Sequence, residues 1–294
     1  MRPAPGGASH LHGGRLPLTW VGWRFVQILA LVVALGVADG YGVGAVGQES
    51  SRSEESSRWS GTQQFSSNPQ NFNDEAEIRK VLRGCEGQLL ENPDSHELRL
   101  QAAYLYYRLG WLFVGKDERK QCYFKLFDHA TKAAELAPQD YHTALLLAVA
   151  KAKIVEYLPH ADQVRIAREL ARETESLVRR QGDDPDSIHL LSWLNFKIGS
   201  LSSLQKMLAA AFFGGLPQNL DVDQAFVLLE RAMQLRPDYV VYQYDLGFFY
   251  LRTGVKDKAR RQFEQVLARR PQTAEERVYQ RRALAKMREL NGES

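Results

Sequence analysis

Cysteine is nearly absent from this chain: Cys85 and Cys122 are the only two in 294 residues. No CxxC pair, histidine-rich tract or zinc spacing goes with them, so a disulfide-built or zinc-built fold is excluded. Whether the two thiols pair depends on geometry that a sequence does not hold. Strand signals are missing too, since no stretch alternates apolar and polar residues with β-branched enrichment. A large charge of one sign is also lacking. The 38 basic and 35 acidic residues leave a formal net charge of +3, too small to point to nucleic acid. The seven histidines are scattered without an HExxH arrangement, and no GxSxG, Walker-type, Rossmann or kinase motif is present. These absences predict a non-enzyme with no cofactor and no metal.

What is present is an ordinary globular balance, 44% hydrophobic and 25% charged, enough for a real core. The first segment stands apart from it. Arg15 and Arg24 precede FVQILALVVALGVA, from Phe25 to Ala38, which carries no charge. A spanning helix needs about 20 apolar residues. A shorter run behind basic residues and before small ones reads as a secretory signal. Cleavage suits two positions, after Ala38 or after Gly47, and retention as an anchor is the other reading. No cysteine lies nearby to carry a lipoprotein anchor. Either way the rest is expected to be exported, to a periplasm or secretory pathway, or tethered to a membrane. Residues 48–72 are rich in Ser, Glu, Gln and Asn and bury too little to fold, so they read as a linker. The expected division is 1–47 signal or anchor, 48–72 linker, and 73–291 folded domain.

From Asn73 on, apolar residues recur with helical period, and prolines and glycines fall between the runs. Asn73 is the expected first N-cap. A repeat emerges in VVYQYDLGFFYLRTGVKDKARRQFEQVLARRP, residues 240–271. Leu246-Gly247, Tyr250, Gly254, Ala259, Phe263 and Pro271 stand at the offsets of a 34-residue helical-hairpin unit. The stretch resembles a tetratricopeptide repeat, with Gln243 where that repeat has tryptophan and Val266 where it has a small residue. Gly247 and Ala259 would let the paired helices approach, Tyr250 and Phe263 would fill between them, Gly254 would turn the chain and Pro271 would stop it. Pro93, Pro138 and Pro237 precede helices in the same phase. Ala225, Ala232 and Ala133 fall at small positions, and Ala103 with Gly110 repeats the spacing of Gly247 with Gly254. WLFVGKDERKQ lengthens the first unit. The run 188–215 is expected as one elongated helix, open to a break near Gly199. The total is about four imperfect hairpins, an all-α, tetratricopeptide-like helical-hairpin superhelix (α-solenoid).

Residues 192–271, with AAAFFGGLP and then DQAFVLLERAMQLRPDYVVYQYDLGFFYLRTG, are similar to the regulator of microtubule dynamics family. Upstream, YHTALLLAVAKAKI and the helix after it also suit that family. Ser192-Trp193-Leu194 departs from its Gly-Arg-Trp pattern. The resemblance implies a tetratricopeptide-like domain behind a membrane-targeting N-terminus, and partner binding. It carries over the fold and not a tubulin partner.

In such hairpins one face of each first helix lines a concave surface. The frame places Tyr104, Tyr107 and Arg108 there in the first unit, and Tyr244, Phe248 and Arg252 in the last. Arg108, Lys153, Lys197 and Arg252 would form a basic ladder able to hold an acidic peptide or a C-terminal carboxylate. The plain alternative is that these cations complement helix dipoles and the aromatics are core. The expected function is a non-catalytic protein-binding scaffold. The other reading is a solute-binding accessory protein of an exported transport system, its pocket enclosed by the helix near 201–213. The basic run from Lys256 to Arg288 reads as a solvated face, and the last helix, 274–290, as a solvating cap.

Overall fold

The computed structural model describes residues 74–292. Among them lie eleven α-helices and no strand. The expected signal or anchor and the linker lie outside the described residues.

Helix α1 (Glu75–Glu91) starts at Asp74, whose carboxylate accepts from the Glu77 N–H at 3.0 Å. The cap is therefore Asp74; Asn73 is outside the described residues. Ile78, Leu82, Cys85 and Leu89 recur at helical spacing and are buried. They pack with Ala102, Leu105, Leu109 and Cys122 into a small core of their own. The first hairpin is α2 (His96–Leu112) and α3 (Lys116–Leu136). The WLFVGKDERKQ insertion makes no long loop; it is taken up as extra helical turns, and α3 runs for 21 residues.

Helix α4 (Tyr141–Ile154) ends in a 3₁₀ turn (Val155–Tyr157) and pairs with α5 (His160–Arg180). Asp184 caps α6 (Pro185–Gly199), with Pro185 in the first turn, where its missing N–H costs nothing. The long apolar run then breaks. α7 (Ser203–Phe213) restarts on a Ser202–Gln205 capping box, so two helices stand where one elongated helix was expected. Gly199 is where the chain yields: a Cβ there would lie 2.7 Å from the Asp221 carbonyl carbon and Val222 nitrogen. That backbone opens α8 (Val222–Leu235), the true partner of α6, while α7 is an insertion lying against α5. The fourth hairpin is α9 (Val240–Arg252) and α10 (Lys256–Ala268), followed by α11 (Ala274–Asn291).

The repeat chemistry is visible at α9–α10. A Cβ on Gly247 would meet the Phe263 ring at 2.8 Å and the Gln262 Cβ at 3.0 Å, so only glycine permits the helix approach. Gly254 turns the chain at φ +82°. In place of tryptophan, the Gln243 amide donates across the hairpin to Gln262 and Gln265. In the first hairpin the glycine facing the partner helix is Gly110, where a Cβ would lie 2.9 Å from the Tyr123 ring. Gly110 therefore plays the part of Gly247 and not of Gly254, which shifts the first unit's frame. Ala133, Ala225 and Ala232 are fully buried at the small positions. One continuous core runs from α2 to α11. No helix among the described residues is long and apolar enough to cross a membrane.

Candidate functional site

The first helices of successive hairpins are joined by carboxylates, the half-buried Asp184 and the buried Asp186 and Asp245, each held by donors as burial of charge requires. Asp184 accepts from the Tyr141 hydroxyl at 2.7 Å. Asp186 takes a forked pair of bonds from Arg236, at 2.9 and 3.3 Å, and one from the Tyr242 hydroxyl at 3.2 Å. Asp245 joins α6 to α9, accepting from His189 Nε2 at 2.7 Å and Trp193 Nε1 at 2.8 Å. Burial pushes the His189 imidazole down to about 3, so it is a neutral donor at physiological pH.

The inner side is closed by α11. Glu275 meets Arg108 of α2 at 3.5 Å and accepts from the Tyr239 hydroxyl at 3.2 Å. Burial pushes the Glu275 carboxyl up, with Arg108 and the Tyr239 hydrogen bond opposing. One turn on, the Tyr279 ring lies 6.0 Å from Trp111 and 5.1 Å from Tyr244. The Arg282 guanidinium sits 4.2 Å from the Trp111 ring centre. The outer side of α11 is charged and exposed as expected. Its inner side, with Ala274, Glu275, Val278, Tyr279 and Ala283 buried, is part of the core.

The eight groove residues read from sequence separate by depth. Tyr104, Tyr107, Arg108, Lys153, Tyr244 and Phe248 are buried, Lys197 is half-buried, and Arg252 is exposed. The four cations thus do not line one open row. With Gly110 level with Gly247, Arg108 stands level with Asp245 and not with Arg252. Lys153 Nζ rests 3.8 Å from the Trp111 ring centre, and burial holds its ammonium well below the usual range. Lys197 lies 5.1 Å from Trp193 and 5.7 Å from Phe248, and Lys286 of α11 approaches Phe248 at 6.0 Å. Two cations thus approach the one buried Phe248 ring.

Sequence reasoning missed Trp111, Glu275, Tyr279 and Lys286. A signal existed in Ala274, Val278, Ala283, Met287 and Leu290, whose helical period marks an apolar stripe on α11. Cys85 and Cys122 are both free and buried in the α1–α2 core, and burial pushes both thiols up to about 11. Among the described residues no group of three His, Cys, Asp or Glu is placed to hold a metal ion.

The description "Regulator of microtubule dynamics protein 1-3" matches residues 67–291. The chain belongs to the regulator of microtubule dynamics family. No curated protein matches this family member in a direct search. Among solved structures it is similar to TTC0263, a thermophilic TPR protein of Thermus thermophilus. The identity is 16%, over 71% of this chain and 92% of that one, with a TM-score of 0.49. A monomeric mutant of IFIT1, solved with a capped RNA, shares 20% identity over 67% of this chain and 47% of that one, with a TM-score of 0.37. At those scores nothing is carried over from either.

Proposed function

We propose that this family member is a non-catalytic scaffold. It takes a protein or peptide partner at the inner face of its superhelix, with the N-terminal segment carrying it across, or holding it against, a membrane. The observation that carries the reading is Phe248 flanked by Lys197 and Lys286, with Arg252 exposed one turn beyond on α9. Cations clustered at an aromatic ring suit a carboxylate-bearing chain, so the partner is an acidic segment or a C-terminal carboxylate. Tyr104, Tyr107, Tyr244, Arg108 and Lys153, all buried, then support this surface from behind.

The solute-binding reading needed a pocket walled by the helix near 201–213. α7 buries only Ala209 and lies against α5, which favours a macromolecular partner. The membrane reading rests on the uncharged run from Phe25 to Ala38.

The test is capture from the native membrane fraction with the full chain and a Lys197→Glu, Arg252→Glu variant. Arg252 is exposed and Lys197 half-buried over Trp193 and Phe248, so the Tm of both proteins is measured beside the capture; reversing Arg108 is avoided because it would strand Glu275. Specific proteins held by the wild type and lost by the variant, at unchanged Tm, are expected. Identical captures would sink the assignment.

A further inference from the structure

One helix of this fold is inside out. The only residue that α7 buries is Ala209. On the opposite side Leu204, Met207 and Ala211 form an i, i+3, i+7 stripe. Leu204 and Met207 are 51% and 59% exposed, and Phe212 at the far end is 70% exposed. Helices below about 12–15 residues are marginal in water unless packing supports them. α7 has 11 residues and one buried alanine. The Ser202–Gln205 box pairs the Ser202 and Gln205 N–H groups at its start, and the Gly214 and Gly215 N–H groups close on the Ala209 carbonyl at its end. A capped short helix with an apolar outer side suits a covering that is itself apolar.

Two media could cover it, a second copy of the chain or a lipid bilayer. At 1.5 Å per residue and about 10 Å across, an 11-residue helix offers a footprint on the order of 200 Å². A stable protein interface needs roughly 800 Å² from each partner. The surroundings enlarge the patch with cations. Lys206 lies on α7 itself. Beside it on α5, the Arg168 guanidinium donates to the Gly214 carbonyl at 3.1 Å, and Arg172 follows one turn on. No Asp or Glu occurs between Ser187 and Leu220. A small apolar tip rimmed by cations needs no shape complementarity, only an oily layer under phosphates.

We infer that α7 docks this domain on a phospholipid bilayer, seating Leu204, Met207 and Phe212 below the headgroups with Lys206, Arg168 and Arg172 at the phosphates. The N-terminal run would hold the chain near a membrane without orienting it; α7 decides which side of the domain faces the lipid. The two are separable.

The test places a polarity-sensitive NBD label at Met207→Cys in the full chain. Cys85 and Cys122 are buried and stay unlabelled. Vesicles of phosphatidylcholine, with or without phosphatidylserine, carry spin-labelled lipid as quencher. The label at 207 should shift to the blue and be quenched, more so with phosphatidylserine, while the same label at Leu90→Cys, exposed on α1, stays aqueous. Adding Leu204→Glu and Phe212→Glu should lower the lipid-embedded fraction at 207 about tenfold or more, as loss of two large apolar contacts implies. The N-terminal run is unchanged throughout, so co-sedimentation reports the tether and the label reports α7. A label at 207 that stays aqueous on sedimenting chains overturns the inference and leaves the tether standing. Equal quenching at 90 and 207 overturns it too. So does a blue shift that grows with protein concentration without lipid, which would mark a second copy.

Discussion

Arg108 and Glu275, 167 positions apart, face each other at 3.5 Å with both side chains almost wholly removed from water. This pair joins the first helical hairpin to the last helix, so a solenoid that could lie open is drawn closed. Arg108 Nε and Nη2 find no other hydrogen-bond partner among the described residues, which makes Glu275 its main counter-charge.

Removing one partner strands the other. Glu275→Ala should cost about 3–5 kcal/mol in urea titration, the usual penalty for an uncompensated buried charge. Arg108→Met with Glu275→Leu should recover most of that loss, because the desolvation cost disappears with both charges. A double variant as weak as the single one would mean that the pair itself is not what holds α11.

Three glycines should respond with different signs. Gly247→Ala pushes a methyl into Phe263 and Gln262, and Gly110→Ala into Tyr123 and Cys122. Each should lose about 1–3 kcal/mol by overpacking. Gly84, on α1, has nothing within 4 Å of its would-be Cβ, so Gly84→Ala should gain roughly 0.5–1 kcal/mol from helix propensity alone. Thermal unfolding of the three variants decides it.

Phe263 is fully buried, with Gly247 on one side and the Tyr244 ring 5.5 Å away. Phe263→Ala should cost about 3–5 kcal/mol in denaturant titration, and a near-zero loss would contradict the hairpin packing.

Acid should weaken the fold before the carboxylates titrate. His129 accepts from Arg99 at 3.4 Å through Nδ1 and stacks on Tyr106, an arrangement that requires the neutral ring. Burial, with Arg99 beside it, pushes this imidazole down to about 4. The unfolded value is near 6.5, so the unfolded chain takes up the proton first. The contribution is present above about pH 6.5 and is lost as pH falls toward 4; between pH 7 and 5 it amounts to about 2 kcal/mol. His129→Gln should remove that part of the slope in urea midpoints and leave a similar part from His189.

How much of this was legible beforehand varies with the kind of contact. Local signals read well: the hairpins, the small residues at Ala225 and Ala232, the Gly254 turn and the stop ahead of Pro271 all follow from backbone freedom and helical period. Three local readings slipped, the first being the elongated helix over 188–215, which breaks after Gly199 because the Asp221–Val222 backbone packs there. Gly110 looked like a turn glycine because spacing alone does not distinguish a glycine needed for positive φ from one needed for close approach. α11 looked like a solvating cap because Glu275 and Arg282 count as surface residues until a partner is known.

The amino-acid order determined an all-helical repeat, since periodicity and helix stops act within about a turn or two of chain. Only the tertiary structure decided which cations stay open, that α7 wears its apolar side outward, and that α11 closes onto α2. Those outcomes depend on superhelical curvature, which sums small rotations at every hairpin interface and appears in no single stretch of residues.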